Sequence, residues 1–232
     1  MLSLQELTIE QRQAVVKTRE RVAKLHAELP RWGLVVWTAG NVSERVPGLD
    51  LFVIKPSGVS YDEICAENMV VCDMEGNKVF DEASADLHPS SDTAAHAYVY
   101  AHMENVGGIV HTHSTYATSF AALRKPIPCV LTMMADEFGG EIPIGPFALI
   151  GDDSIGRGIV ETLSISRSRA VLMANHGPFT IGKDGTDAVK AAVMVEEVAK
   201  TIQIAQNSGE THQIEQTDID KLWYRYQNVY GQ

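Results

Sequence analysis

Short apolar runs bounded by turn-forming residues, separated by longer amphipathic segments, restrict the fold of this chain more than any other feature. Such runs predict buried strands at residues 34–37, 51–54, 69–72, 78–80, 109–111, 170–174 and 178–181. Helical periodicity predicts helices at residues 10–29, 92–103, 115–123, 154–163 and 184–206. The order is not a strict βαβ rhythm, and the turn at residues 75–77 predicts antiparallel neighbours. We therefore expect an α/β sandwich, with a central, largely antiparallel sheet flanked by helices on both faces.

The length of the chain predicts one domain over residues 1–232. A chain of 232 residues with 45% hydrophobic residues can bury a sizeable core. No repeat, low-complexity segment or linker divides it. Residues 207–217 are polar and predict a loop, and the tail from about 218 to 232 begins as a helix and is rich in aromatic residues.

Composition argues against several classes of partner. The net charge of −11 argues against nucleic acid, because phosphate contacts need a basic surface. No apolar run is long enough to span a membrane, and residues 1–7 lack the pattern of a signal peptide. The three cysteines show no metal-ligand spacing and suit a reducing compartment. We expect a cytoplasmic protein that binds neither nucleic acid nor membranes.

Three histidines stand where predicted strands end. His111 and His113 are two residues apart after the run Ile109-Val110, and side chains at this spacing leave a strand on the same face. His176 follows the second apolar run, residues 170–174. Three imidazoles fit a metal site that keeps one coordination position open, which is the arrangement of catalytic zinc. The cofactor we expect is Zn²⁺, with Mn²⁺ or Co²⁺ as alternatives, because geometry and availability decide the ion.

Three short loops have the composition of an anion site. Residues 39–43 contain glycine and an amide, residues 55–58 place a cation beside a hydroxyl, and residues 89–92 precede a helix whose free N–H groups favour an anion. A phosphate monoester needs many donors and a cation, and these loops together contain them. The candidate phosphate-binding residues in the loops are Asn41, Lys55, Ser57, Gly58, Ser90 and Ser91.

Each of these features also has a purely structural interpretation. A histidine at a strand end is often only structural, and residues 55–58 read as an ordinary turn. Asp92 is well placed as the N-cap of the helix that follows it. His26, His96 and His102 are predicted to lie on helix faces without a ligand role. The occurrence of all three loops beside three clustered histidines favours the functional interpretation.

Five motifs, taken in order, resemble a known superfamily. They are residues 40–43 (Gly-Asn-Val-Ser), 55–58 (Lys-Pro-Ser-Gly), 89–93 (Pro-Ser-Ser-Asp-Thr), 111–114 (His-Thr-His-Ser) and 175–178 (Asn-His-Gly-Pro). The set resembles the class II aldolase/adducin superfamily, and in particular its L-ribulose-5-phosphate 4-epimerases. The resemblance extends from about residue 20 to the C-terminus, and the closing residues 229–232 look like the end of an epimerase.

The resemblance implies a set of roles for individual residues. It implies His111, His113 and His176 as metal ligands, with Asp92 also at the metal where the aldolases carry glutamate. Asp136, which follows residues 132–135, would be one catalytic acid/base, with Tyr230 of a neighbouring subunit as its partner. Arg225 resembles a further phosphate contact. The family implies a homotetramer with active sites between subunits, to which the tail contributes.

The activity implied is that of an isomerase of carbohydrate metabolism, arabinose catabolism included. It would interconvert L-ribulose 5-phosphate and D-xylulose 5-phosphate, by retro-aldol cleavage of the C3–C4 bond and recombination with inverted configuration at C4. The chain departs from well-known epimerases in three places: the segment at residues 147–153 is shorter, Leu222 stands where they carry histidine, and His88 replaces a lysine.

Other functions remain open from the sequence. The nearest is a zinc-dependent aldolase for L-fuculose 1-phosphate or L-rhamnulose 1-phosphate, against which Asp92 argues. A decarboxylating or dehydrating member of the superfamily is another. A non-catalytic domain of the adducin type would have lost the metal, and the three retained histidines argue against it. A generic metal-binding protein would leave the three anion loops unexplained.

Overall fold

The computed structural model describes residues 3–229, and a mixed sheet forms its centre. Within that range the strands are β1 (Asn41–Arg45), β2 (Leu51–Ile54), β3 (Val70–Asp73), β4 (Gly108–His111), β5 (Ile144–Gly145), β6 (Ala170–Met173) and β7 (Gly177–Gly182). They lie in the order β3-β2-β1-β4-β7-β6-β5. Every neighbouring pair is antiparallel except β5 and β6, which are parallel. The predicted, largely antiparallel sheet is therefore confirmed.

Helices cover both faces of this sheet, as predicted. They are α1 (Ile9–Arg31), α2 (Thr93–His102), α3 (Thr115–Ala122), α4 (Thr132–Phe138), α5 (Ser154–Leu163), α6 (Gly185–Ser208) and α7 (Gln216–Asn228). Alternate residues of β2 show the two layers, because Leu51 and Val53 pack with α1 and α6 while Phe52 and Ile54 pack with α2 and α5. A third apolar cluster joins α3, α4, α6 and α7. No described helix is long and apolar enough to cross a membrane.

Three local predictions are wrong. Residues 34–37 form no strand, since Val36 and Trp37 are 74% and 88% exposed and Trp37 has a φ of +59°. Asn41, predicted to lie in a loop, begins strand β1 near the middle of the sheet. Residues 78–80 form no full hairpin strand, only two isolated bridges, one between Lys78 and Cys72 and one between Phe80 and Ser3. Helix α4 was not predicted at all.

The topology brings the ends of three strands together. In the antiparallel register His111, the last residue of β4, lies opposite Asn41, the first residue of β1. On its other side His111 pairs with Phe179 of β7, and His176 directly precedes that strand. Gly40 allows this close approach, because a Cβ at its position would lie 2.8 Å from the carbonyl oxygen of His111. The candidate site residues therefore meet at one end of the sheet.

Candidate metal and anion site

The three histidines form a single cluster, as predicted. Their ligand atoms all lie within 4.8 Å of one another, and the Nε2 atoms of His111 and His113 are 2.9 Å apart. Only His111 lies within a strand, whereas His113 is in the segment that leads to α3 and His176 is in the turn between β6 and β7. The cluster thus depends on the turns as well as on the strand spacing.

The protonation of the histidines suits a metal. Burial lowers the pKa of His111 to about 3, and burial also lowers the pKa of His113 and of His176. All three rings are therefore neutral at pH 7, the form in which imidazole binds metals. The Nδ1 of His111 lies 3.0 Å from the carbonyl oxygen of Pro178. A carbonyl can only accept, so the proton is on Nδ1 and the lone pair of Nε2 faces the other two histidines.

The unsatisfied nitrogen of His176 and the type of donor atoms in the cluster both fit a metal ion. The Nε2 atom of His176 is buried and has no hydrogen-bond partner among residues 3–229, which would cost roughly 1–3 kcal/mol unless a ligand satisfied it. Nitrogens that share a zinc ion lie about 3.3 Å apart, a value between the His111–His113 separation of 2.9 Å and the upper limit of 4.8 Å in this cluster. Three neutral imidazoles facing a pocket match the donor set of zinc with an open position.

Asp92 lies beside the cluster and does not act as a helix cap. It occupies the N-cap position of α2, but its side chain makes no capping hydrogen bond. Instead its Oδ2 accepts a hydrogen bond of 2.8 Å from the Nδ2 of Asn41. Burial by itself raises the pKa of Asp92, but electrostatic interaction with the imidazoles of His111 and His96 and the Asn41 hydrogen bond outweigh it and leave the pKa below its usual value. The carboxylate is therefore ionised, although it is not one of the three clustered ligands.

Two of the predicted anion loops are joined by backbone hydrogen bonds. The N–H of Ser57 donates to the carbonyl of His88 at 2.8 Å, and the N–H of Ser90 donates to the carbonyl of Lys55 at 3.0 Å. The Nδ2 of Asn41, from the third loop, donates to the Oγ of Ser90 at 3.0 Å. Three segments that are distant in sequence therefore form one wall.

Lys55 supplies a buried cation to this wall. Lys55 is 2% exposed, and its ammonium donates to the carbonyl oxygens of Thr38 and Pro56 at 3.3 and 3.2 Å. Both of these acceptors are neutral, and burial lowers the pKa of Lys55. The ammonium also lies 5.5 Å from the centroid of the Tyr61 ring. A buried charge whose partners are neutral gains from an anion placed next to it.

The three histidines and the wall formed by the three loops face one cavity of about 200 Å³. All the candidate phosphate-binding residues from the three loops line it, together with Asp92 and the three histidines. Asp92 is the one carboxylate among the lining residues that the structure describes. Two further lining residues, Thr38 and Ile150, lie outside the predicted loops and carry little chemical signal in the sequence.

The predicted acid/base and tail residues lie elsewhere in the chain. Asp136 is on α4 and Arg225 is on α7, and neither lines the cavity. These two helices pack against each other. Leu222, also on α7, packs against the apolar cluster beside α4. Tyr230 lies outside the described residues. One chain therefore brings together the predicted binding residues but does not bring Asp136 and Arg225 to them.

The fold and the site together define a class: an α/β sandwich with a three-histidine cluster suited to a divalent metal at one end of its sheet, and a lysine and hydroxyl groups lining the same cavity. Comparison with known families is consistent with this. The family described as Class II Aldolase and Adducin N-terminal domain matches residues 20–203. The chain belongs to this family.

Individual relatives refine the picture. The Mycoplasma pneumoniae protein named "Probable L-ribulose-5-phosphate 4-epimerase UlaF" is 44% identical over 194 residues, which cover 78% of this chain and 79% of that protein. A solved "L-fuculose 1-phosphate aldolase" has a TM-score of 0.81 at 28% identity, covering 91% of this chain and 96% of that one. The L-fuculose 1-phosphate aldolase from Glaciozyma antarctica PI12 has a TM-score of 0.77 at 20% identity, covering 94% and 84%, and supports the fold alone.

Proposed function

We propose that the protein is a metal-dependent L-ribulose-5-phosphate 4-epimerase. It would interconvert L-ribulose 5-phosphate and D-xylulose 5-phosphate by cleaving and re-forming the C3–C4 bond. The observation that carries the proposal is Asp92, an aspartate rather than a glutamate, held by Asn41 beside the three histidines. The relative at 44% identity bears an epimerase name, which supports the same assignment. The place of the reaction in arabinose catabolism and in the cytoplasm stays a prediction.

The pocket residues divide the work of binding. His111, His113 and His176, with Asp92, would hold a divalent ion, for which Zn²⁺ fits the donor set and Mn²⁺ or Co²⁺ are alternatives. When bound, such an ion supplies a Lewis acid that stabilises the negative charge developing on the ketose oxygens during cleavage.

The three loops that line the cavity would bind the phosphate group. Lys55 would neutralise it, while Asn41, Ser57, Gly58, Ser90 and Ser91 offer side-chain or backbone donors. This grip would keep the aldehyde fragment in the pocket while it rotates, so that recombination rather than release follows.

Proton transfer requires acid/base groups in addition to those that the described residues of one chain bring to the cavity. The C4 alkoxide forms on opposite faces of the fragment in the two directions, so two acid/base groups are needed. We assign them to Asp136 and to Tyr230 of a neighbouring subunit, with Arg225 as a further phosphate contact.

A neighbouring chain is supported by exposed apolar side chains around the cavity. Val36 and Trp37, directly before the lining residue Thr38, are 74% and 88% exposed. Leu149 is 72% exposed and precedes Ile150, which lines the cavity and is itself 52% exposed. Burial of such side chains favours association. We therefore propose a homotetramer with active sites at the subunit interfaces.

The decisive experiment is incubation of the zinc-loaded protein with L-ribulose 5-phosphate. We expect D-xylulose 5-phosphate as the product, with little free aldehyde. The metal-depleted protein and the His111→Ala variant serve as controls that should be inactive, while His102→Ala, which alters an exposed histidine on α2, should behave as wild type. Full activity without metal would contradict the proposal.

The alternative is a class II sugar-phosphate aldolase acting on L-fuculose 1-phosphate or L-rhamnulose 1-phosphate. The structural match with an L-fuculose 1-phosphate aldolase, at a TM-score of 0.81 and 28% identity, favours it. Release of free dihydroxyacetone phosphate from either of these sugars, with no D-xylulose 5-phosphate formed from L-ribulose 5-phosphate, would establish it instead.

A further inference from the structure

Behind the metal cluster lies a buried polar chain that the proposed mechanism does not use. The Oγ of Ser43 in β1 lies 2.7 Å from the Nδ1 of His96 and 2.8 Å from the hydroxyl of Tyr100, both in α2. Ser43 and His96 are 0% exposed and Tyr100 is 1% exposed. Polar groups so deeply buried destabilise a fold unless every donor and acceptor is used.

The order of donors along this chain follows from counting protons. Burial raises the pKa of Tyr100, so its hydroxyl keeps its proton, and that proton must be donated to the Oγ of Ser43. The single proton of the Ser43 hydroxyl is then available for the Nδ1 of His96. Because Nδ1 accepts this hydrogen bond, the N–H of the His96 ring is on Nε2.

Two buried atoms next to this chain have no hydrogen-bond partner within residues 3–229. One is the Nε2 of His96, and the other is the Oδ1 of Asp92. The two residues are four apart, and the backbone N–H of His96 donates to the carbonyl of Asp92 at 3.0 Å, so both are on one face of the first turn of α2. The first atom is a donor, and the second is a carboxylate oxygen that can accept.

We propose that His96 is a positioning residue, whose Nε2–H donates to the Oδ1 of Asp92 and turns this carboxylate toward the three histidines. The Asn41 amide already holds the other oxygen, Oδ2. With both oxygens held, Asp92 has a fixed orientation, and Ser43 and Tyr100 fix the tautomer that makes His96 a donor. The effect on metal affinity rests on the proposed role of Asp92 as a ligand.

The tautomer can be read directly by nitrogen NMR of the protein labelled with ¹⁵N-histidine. We expect the Nε2–H form of His96 in both metal-free and zinc-loaded protein, and a shift toward mixed tautomers in Tyr100→Phe, which loses the terminal donor. An Nδ1–H form of His96 in the wild-type protein would overturn the proposal.

Zinc affinity, measured by competition with a chelator, supplies the second readout. We expect His96→Leu to weaken zinc binding by about 10–100-fold, and His96→Gln, whose amide offers an N–H at a similar distance, to recover most of that loss. His102→Leu, the exposed control on the same helix, should bind zinc as wild type does.

A double-mutant cycle separates positioning from general damage to the fold. Asp92→Ala together with His96→Leu should bind zinc no more weakly than Asp92→Ala alone. Independent, additive losses would overturn the proposal, as would wild-type zinc affinity in His96→Leu. All of these measurements are made without substrate, so failure to turn over L-ribulose 5-phosphate would contradict the proposed function and leave this inference standing.

Discussion

The buried charge of Lys55 destabilises the folded state, but the same charge would stabilise a bound anion. It is a cation in a nearly closed environment, held by two neutral carbonyl oxygens. Burial lowers its pKa, so the folded state disfavours the charged form relative to the unfolded chain. An anion bound beside Lys55 would offset this loss, so we expect Lys55 to contribute to ligand binding rather than to stability.

Replacing Lys55 with methionine should therefore move two quantities in different directions. Lys55→Met keeps most of the volume and removes a buried charge, so the free energy of unfolding should stay equal or rise. Loss of a charged hydrogen bond to phosphate should raise the KM for the sugar phosphate about 10–100-fold, with the zinc content unchanged. Steady-state kinetics and urea unfolding measure both effects, and Lys17→Met on the exposed face of α1 is the control. An unchanged KM would remove Lys55 from the anion site.

Asp136 leads to a different expectation, because it lies on α4 and outside the metal cavity. Asp136→Asn should leave the zinc content intact and slow epimerisation by about 10²–10⁴-fold, the usual contribution of a general acid or base. Metal analysis and a coupled assay for D-xylulose 5-phosphate give the two values. Asp86→Asn, at an exposed position, is the matched control, and an unchanged rate in Asp136→Asn would reject the assignment.

At the scale of elements, strand β1 explains why part of the fold escaped the sequence analysis. Its residues are largely polar, and strand prediction depends on apolar runs. Three of its polar side chains form hydrogen bonds with residues distant in sequence: Asn41 with Asp92, Ser43 with His96, and Glu44 with Arg21 at 2.7 Å. Such partners exist only in the folded protein, so the sequence pattern around residue 41 resembled a loop.

The apolar run at residues 34–37 gave the opposite error, because it predicted a strand where none forms. Leu34 is buried, but the side chains of Val36 and Trp37 point outward. An apolar run predicts that its side chains are buried. It does not show whether they are buried within their own chain or against a neighbouring subunit. If a neighbouring subunit covers this segment, its composition is that of an interface rather than of a strand.

Hydrogen bonds connect the C-terminal end of α3 to the turn that contains His176. Arg124 and Asn175 both have positive φ, of 54° and 58°. The Nε of Arg124 donates to the Oδ1 of Asn175 at 2.7 Å, and the N–H of Asn175 donates to the carbonyl of Ala121 at 2.9 Å. Asparagine adopts this conformation readily, but arginine does so at a cost. The strain at Arg124 is a reason to test whether this contact orients His176.

Two substitutions at this position separate backbone strain from the side-chain contact. Arg124→Gly removes both, whereas Arg124→Ala keeps the strain and removes only the contact. We expect the glycine variant to be about 1 kcal/mol more stable to urea than the alanine variant, and both to lose the same zinc affinity. Equal stability of the two would show that the backbone is unstrained, and unchanged zinc affinity in both would show that the contact does not orient His176.

At the scale of the whole molecule, the sequence predicts the fold class and most of the cavity lining, but not how the proposed acid/base and tail residues would reach that cavity. Helices on both faces and an antiparallel sheet follow from periodicity and turns, and strand-end histidines such as His111 and His176 lie together because strand ends share an edge. Asp136 and Arg225 have no comparable signal, because the pocket that they would serve is not formed within the described part of their own chain.

A site shared between subunits makes a specific prediction about mixed oligomers. His111→Ala chains lack a metal site but keep the tail, whereas chains that end at residue 229 lack Tyr230 but keep the metal site. Each should be inactive or slow alone. In a ring of four, random mixing of equal amounts should restore about a quarter of the sites, each pairing an intact metal cluster with an intact tail from its neighbour.

The mixing experiment requires subunit exchange, which is checked by native mass spectrometry of the same samples. Mixing His111→Ala with His176→Ala is the matched control, because both variants lack the metal cluster and no arrangement of them rebuilds a site. Recovered turnover in the first mixture alone would establish that the tail acts on a neighbouring active site. If mixed tetramers form but stay inactive, the tail serves its own chain or none, and Tyr230 is not the second acid/base.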